Sequence, residues 1–152
     1  MRYQEMGSLE SIEAAKKNLQ FAEQVYGSDH IETSNALHNL STQYYAKGEY
    51  ELAEPISKRV LNIREKIFGP NDPNVAGSLY CLATLYMAQR KFEEAESLFK
   101  RTLELQGIYP GPSHPDTINT RESLIITYLC QQKHKEAKYE RYVLSIVSSK
   151  KH

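Results

Sequence analysis

Tryptophan is absent from the 152 residues, and cysteine occurs only twice, at Cys81 and Cys130. Two cysteines in apolar helical contexts, without metal-type spacing, point to reduced structural thiols. A surplus of one charge is also lacking, because Lys plus Arg and Asp plus Glu each number 19. The chain thus has no basic excess of the kind that captures phosphate backbones, and nucleic acid is not expected as a partner. No apolar run approaches the roughly 18 residues that span a bilayer, and the opening MRYQEMGSLE contains no secretory-type stretch. Membrane insertion is therefore not expected, and a cytoplasmic location is.

Motifs of the common catalytic designs are missing as well. There is no G-x-S-x-G elbow, no G-x-x-x-x-G-K-[ST] phosphate loop, no G-x-G-x-x-G and no H-E-x-x-H. None of the five histidines, His30, His38, His114, His134 and His152, pairs with another residue at helical metal-ligand spacing. His38 with Cys81 is the best conceivable zinc pair, and packing or peptide contact is the better reading of both. No enzyme, metal or cofactor is expected. The 11 tyrosines suggest base stacking at first sight. Tyr44, Tyr50, Tyr86 and Tyr128 fall at core positions, however, and no basic groove accompanies them.

The sparse glycines and prolines are organised. VYGSDHIET, IFGPNDPNV and YPGPSHPDT place Gly27, Gly69 and Gly111 at intervals of 42 residues, and such a period marks a repeat architecture. At the same step Leu40, Leu82 and Leu124 align, as do Tyr44, Tyr86 and Tyr128, an apolar residue and a tyrosine four apart on one helix face. Ala53, Ala95 and Ala137 align in each second helix, where a small residue lets antiparallel helices approach closely; Ser41 and Ala83 serve the same end from the first helices. Gly48 suits a left-handed turn between the helices, and Arg90 and Gln132 replace it at modest cost. Ile56, Val60, Ile63 and Ile67 form an inward stripe on a long second helix, in which Pro55 is expected to cause an adjustment and not a break. Gly69 should end that helix, with Asp72 capping the next and Pro73 entering its first turn; His114 is the corresponding, weaker cap.

The pattern L-[A/S]-x-x-Y followed by G-x-[Y/F]-x-x-A resembles the tetratricopeptide repeat. The 42-residue form, with LNIREKIFGPNDPNVAGSLYCLATLY, is similar to that of kinesin light chains. The resemblance implies an all-α fold, a right-handed superhelix of antiparallel helix hairpins with about three and a half repeats. Residues 1–29 would be a partial N-terminal repeat, mainly its second helix from about Leu9 to Tyr26, with Tyr3 and Gly7 spaced like Tyr44 and Gly48. Repeats would follow over 30–71, 72–113 and 114–152, the last with a C-terminal capping helix. There Arg121 replaces Leu37 and Leu79, and His134 replaces Tyr50 and Phe92. An array that begins in mid-repeat is expected to be a fragment of a longer protein, the alternative being an N-terminal cap, and its exposed ends offer surface for self-association.

The resemblance also implies a non-catalytic protein-protein interaction module, an adaptor or scaffold holding a peptide or helix of a partner in a concave groove lined by the first helices. That stripe would carry Asn35, His38, Asn39, Thr42 and Tyr45, then Tyr80, Thr84 and Met87, then Asn119, Glu122, Ile126 and Leu129. Tyr80 is the expected anchor, and a partner of mixed acidic and apolar character is expected, with His38 meeting the acidic group when protonated. Chaperone-binding members use a basic carboxylate clamp, and the matching positions, His38, Thr42, Cys81, Glu122 and Ile126, do not form it. Kinesin light chains carry paired asparagines where this chain has His38-Asn39, Tyr80-Cys81 and Glu122-Ser123, and Asn39 alone fits. The alternative is a regulatory array in a larger signalling protein, packed on a nucleotide-binding or protease domain that it gates.

Overall fold

The computed structural model describes residues 3–149, and the side chains of residues 11–149. Among them are seven α-helices and no strand: α1 (Tyr3–Tyr26), α2 (Ile31–Ala46), α3 (Tyr50–Phe68), α4 (Ala76–Ala88), α5 (Phe92–Ile108), α6 (Pro115–Cys130) and α7 (His134–Ser149). A 3-10 turn, Pro73–Val75, leads into α4. The helices form two compact units, Met1–Pro70 and Asn71–His152. In the first, α2 packs on α1 and α3; in the second, α5 packs on α4 and α6, and α6 on α7.

The three hairpin turns share one backbone solution. Gly48, Arg90 and Gln132 have φ of 80°, 60° and 60°. The following N–H groups of Glu49, Lys91 and Lys133 donate to the carbonyls of Tyr44, Tyr86 and Tyr128 at 2.9, 2.8 and 2.8 Å. This is the Schellman arrangement, in which a left-handed residue lets the chain turn back and satisfy a carbonyl of the last helical turn. The hydrogen bonds are kept where glycine is not.

The longer connections also repeat. Gly27, Gly69 and Gly111 all have positive φ, and three residues later His30, Asp72 and His114 accept from the backbone N–H of Glu32, Asn74 and Asp116. The Asp72 cap is the shorter, 2.8 Å against 3.1 and 3.2 Å for the imidazoles. Thr33 and Thr117 are fully buried and donate back to the carbonyls of Gly27 and Gly111.

Small residues set the closest helix contacts. Ala53, Ala95 and Ala137 are buried with at most 1% exposed, and the Ser41 hydroxyl donates to the Ala53 carbonyl while meeting Ser57 Oγ at 2.5 Å. The first unit's core gathers Ile12, Ala15, Leu37, Leu40, Val60 and Ile63; the second's centres on Phe99 with Ala83, Ala95, Leu124, Ile125 and Tyr128.

Some local expectations change. α1 runs unbroken past Gly7, where the spacing suggested the end of an earlier helix; Met1 and Arg2 lie outside the described residues. α3 continues through Pro55, as expected. Its inward stripe stops at Ile63, because Ile67 is on the exposed side. Cys130 is exposed at the end of α6, so it is not a packing thiol. At the position of the buried Leu37 and Leu79, Arg121 instead forms an ion pair with Glu140 inside the α6–α7 hairpin.

Candidate functional site

Each unit carries its own share of the expected stripe. On α2, Asn39 and Thr42 are exposed, and the Thr42 hydroxyl donates to the His38 carbonyl at 2.9 Å. Asn35 is held by α3, since Arg64 donates through Nε to Ser34 Oγ at 2.8 Å and through a terminal nitrogen to Asn35 Oδ1 at 3.1 Å. His38 is half-buried. Burial and then the Arg64 guanidinium hold its pKa below the usual histidine range. Both causes disfavour the protonated form, in which His38 was expected to meet an acidic group. Tyr45 leans on Tyr50, with ring centroids 5.3 Å apart.

The second unit uses the equivalent positions differently. Tyr80 is half-buried: its ring meets Phe99 edge-on at 5.7 Å, and its hydroxyl lies 3.4 Å from Ser123 Oγ on α6. Thr84 donates back to the Tyr80 carbonyl, and Met87 Sδ accepts from Thr127 at 3.1 Å. Tyr80 and Met87 thus spend much of their surface inside the unit, leaving one face each to the outside. Asn119, Glu122, Ile126 and Leu129 lie along α6; Ile126 is 54% exposed and Leu129 36%.

A cleft of about 670 Å³ opens beside this stripe. The 3-10 turn and the start of α4 supply Asp72 and Tyr80, the end of α5 supplies Gln106, and the start of α6 supplies His114, Asp116 and Asn119. Its origin lies in the 42-residue register. Gln106 occupies the place of Arg64, and Ala76-Gly77 that of Ser34-Asn35. In the first unit the arginine crosses to two side-chain acceptors; in the second those acceptors are gone and the replacement is too short to fill the space. Gln106 is 6% exposed and its Oε1 has no hydrogen-bond partner, a condition that costs free energy unless something supplies a donor. Reasoning from the sequence missed this cleft; the alignment of Arg64 with Gln106 is the signal that could have found it.

A second polar cluster lies at the other end of α5. Glu96, 8% exposed, accepts from Lys100, from Gln131 at 2.9 Å and from Lys133 at 2.6 Å. Burial pushes its carboxyl up, but these three donors outweigh burial and hold it at about 2. The arrangement ties α5 to the α6–α7 turn, and its partners are all internal.

Among the described residues no group of three or more His, Cys, Asp or Glu side chains is placed to hold a metal ion, and no helix is long and apolar enough to cross a membrane.

Comparison with known proteins gives a consistent picture. The family model for the tetratricopeptide repeat matches residues 3–66 and 74–139. A candidate kinesin light chain of Podosopora anserina with nearly identical TPR-like repeats is similar in structure. A form of it carrying a point substitution has a TM-score of 0.88 and 23% identity over 99% of this chain and 71% of that one; the form without that change gives 0.87 and 22% over 99% and 72%. BtubC (BKLC) from P. vanneervenii gives 0.82 and 18% over 91% of this chain and 55% of that one. No curated protein matches the sequence. With one turn chemistry repeated every 42 residues and the family pattern matched along most of its length, the chain belongs to the tetratricopeptide repeat family.

Proposed function

We propose that this protein is a non-catalytic adaptor or scaffold that holds a peptide or helix of a partner protein along its first helices, α2 in one unit and α4 with α6 in the other. The observation that carries the reading is the α6 surface. Ile126 and Leu129 stand exposed one turn apart, aligned in register with Thr84 and Met87 of α4, and exposed apolar side chains grouped this way mark contact surfaces. In the second unit Asn119 and Glu122 of the same helix supply polar contacts, and in the first unit Asn35, Asn39, Thr42 and Tyr45 of α2 offer a surface of their own. The likeness to kinesin light chain-type repeats favours a role in assembly or cargo recruitment. Self-association belongs to the same proposal, through Phe21 and Val25 of α1, which are 61% and 55% exposed.

The experiment is capture of partners from a cell extract by the full chain and by an Ile126→Ser, Leu129→Ser double variant. Both side chains are exposed, so the variant should melt within a degree or two of the parent. Loss of the captured proteins is expected. Undiminished capture would move the contact surface off α6.

A further inference from the structure

We infer that the cleft between the starts of α4 and α6 takes an arginine side chain presented by the partner polypeptide. The inference rests on the adaptor reading and names the chemistry of one of its contacts. The residues lining the cleft include two carboxylates, Asp72 and Asp116, and neither lysine nor arginine. Neither carboxylate has a lysine or arginine beside it in the cleft lining. Asp72 Oδ1 accepts the backbone and side-chain N–H groups of Asn74, which are neutral donors. Asp116 Oδ2 lies 3.6 Å from His114 Nδ1, but that nitrogen is accepting the Asp116 N–H.

One of the lining residues, Gln106, supplies an independent observation. Gln106 is more than nine-tenths buried, and its carbonyl oxygen lacks a donor among the described residues. The two carboxylates call for positive charge and the unsatisfied acceptor for an N–H donor, a pair of requirements that one cationic ligand rich in N–H groups meets. A guanidinium meets that requirement better than an ammonium. Its five donors lie in one plane, it sheds water more readily, and it stacks on aromatic faces such as those of Tyr80 and Tyr109 at the cleft wall. The first unit gives an internal precedent, because Arg64 makes paired contacts with Ser34 and Asn35 where the second unit is open. The acidic partner expected from the sequence is replaced, for this unit, by a basic one.

The test uses the full chain, isotopically labelled, and capped Gly-Ala-X-Ala-Gly pentapeptides with arginine, citrulline or glutamate at X. Citrulline keeps the shape of arginine and removes its charge. Titration of the arginine peptide should move the side-chain amide resonances of Gln106 and Asn119. The citrulline peptide should bind about tenfold more weakly, the loss of one charge-assisted contact, and the glutamate peptide should leave these resonances in place. In the Asp72→Asn, Asp116→Asn double variant asparagine keeps the cap at position 72, and the His114 cap of α6 is untouched. The variant should melt like the parent and bind the arginine peptide about tenfold more weakly. Gln106→Leu should weaken binding without lowering Tm, because it removes an unpaired buried oxygen. Equal binding of the arginine and citrulline peptides, shifts confined to residues outside the cleft, or no shifts at all would overturn the inference. Failure here with loss of capture by the Ile126 and Leu129 double variant leaves the adaptor reading intact; the converse result removes the adaptor reading alone.

Discussion

Replacing Glu96 by glutamine should change both the stability of the second unit and the way it responds to acid. The carboxyl is held at about 2, against 4.5 for an ordinary glutamate, a difference equivalent to about 3 kcal/mol at most. Lys100 and Lys133 have side chains 51% and 39% exposed, so solvent screens both ion pairs, and about 2 kcal/mol is the better expectation. A carboxyl whose pKa is depressed on folding stabilises the protein above its unfolded value. That contribution falls as pH drops from 4.5 toward 2. Urea unfolding at pH 7, 4.5, 3 and 2 should therefore show wild type ahead of Glu96→Gln by about 2 kcal/mol at neutrality. The gap should narrow through the acid range and close near the bottom of it. Taking the difference between the two proteins at each pH removes what they share and leaves the contribution of Glu96. A gap that stays constant from pH 7 to pH 2 would refute the reasoning, because it would mean that shape, not charge, sets the cost of the substitution.

Ala95→Leu should cost about 1–3 kcal/mol by overpacking the contact between α4 and α5, where Ala83 and Ala95 have no exposed surface; thermal unfolding at the parent's temperature would contradict it. Asp72→Ala should lose about 1 kcal/mol with the cap to Asn74, whereas Asp72→Asn should stay close to wild type in the same denaturation assay. Gln132→Gly relieves a left-handed side-chain conformation at φ 60° but gives the unfolded chain more freedom, so it should stay within about 1 kcal/mol of wild type. A larger loss would show that the Gln132 side chain itself supports the turn.

The sequence was most informative wherever a residue's job is dictated by backbone geometry. Gly27, Gly48, Gly69 and Gly111 all adopt positive φ, and Ala53, Ala95 and Ala137 are all buried, because turns and close helix contacts admit few residue types. Asp72 and His114 were readable as caps for the same reason. Side chains whose role depends on what stands opposite were harder. Tyr80 looks like a free aromatic along the helix, but it packs on Phe99 and reaches Ser123, which lies 43 positions away in the chain. His38 looks like a switch until Arg64 and burial are placed beside it. Nothing in LELQGIYP marks Gln106 as buried, and its burial is evident only when the end of α5 is packed between α4 and α6. Glu96 and Lys133 sit 37 residues apart, a separation at which no local pattern links them.

The shared Schellman turns limit how a protein of this kind can change its length. The left-handed positions 48, 90 and 132 recur at the same interval as the buried alanines 53, 95 and 137. A single residue inserted within a helix would rotate everything after it by about 100°, carrying Leu124 or Ala137 out of the core and a charged neighbour into it. Such insertions are poorly tolerated within a hairpin, whereas duplication or deletion of a whole 42-residue segment leaves every turn and contact in phase. Growth of such an array is quantised: only whole hairpins can be added or removed without disturbing the core.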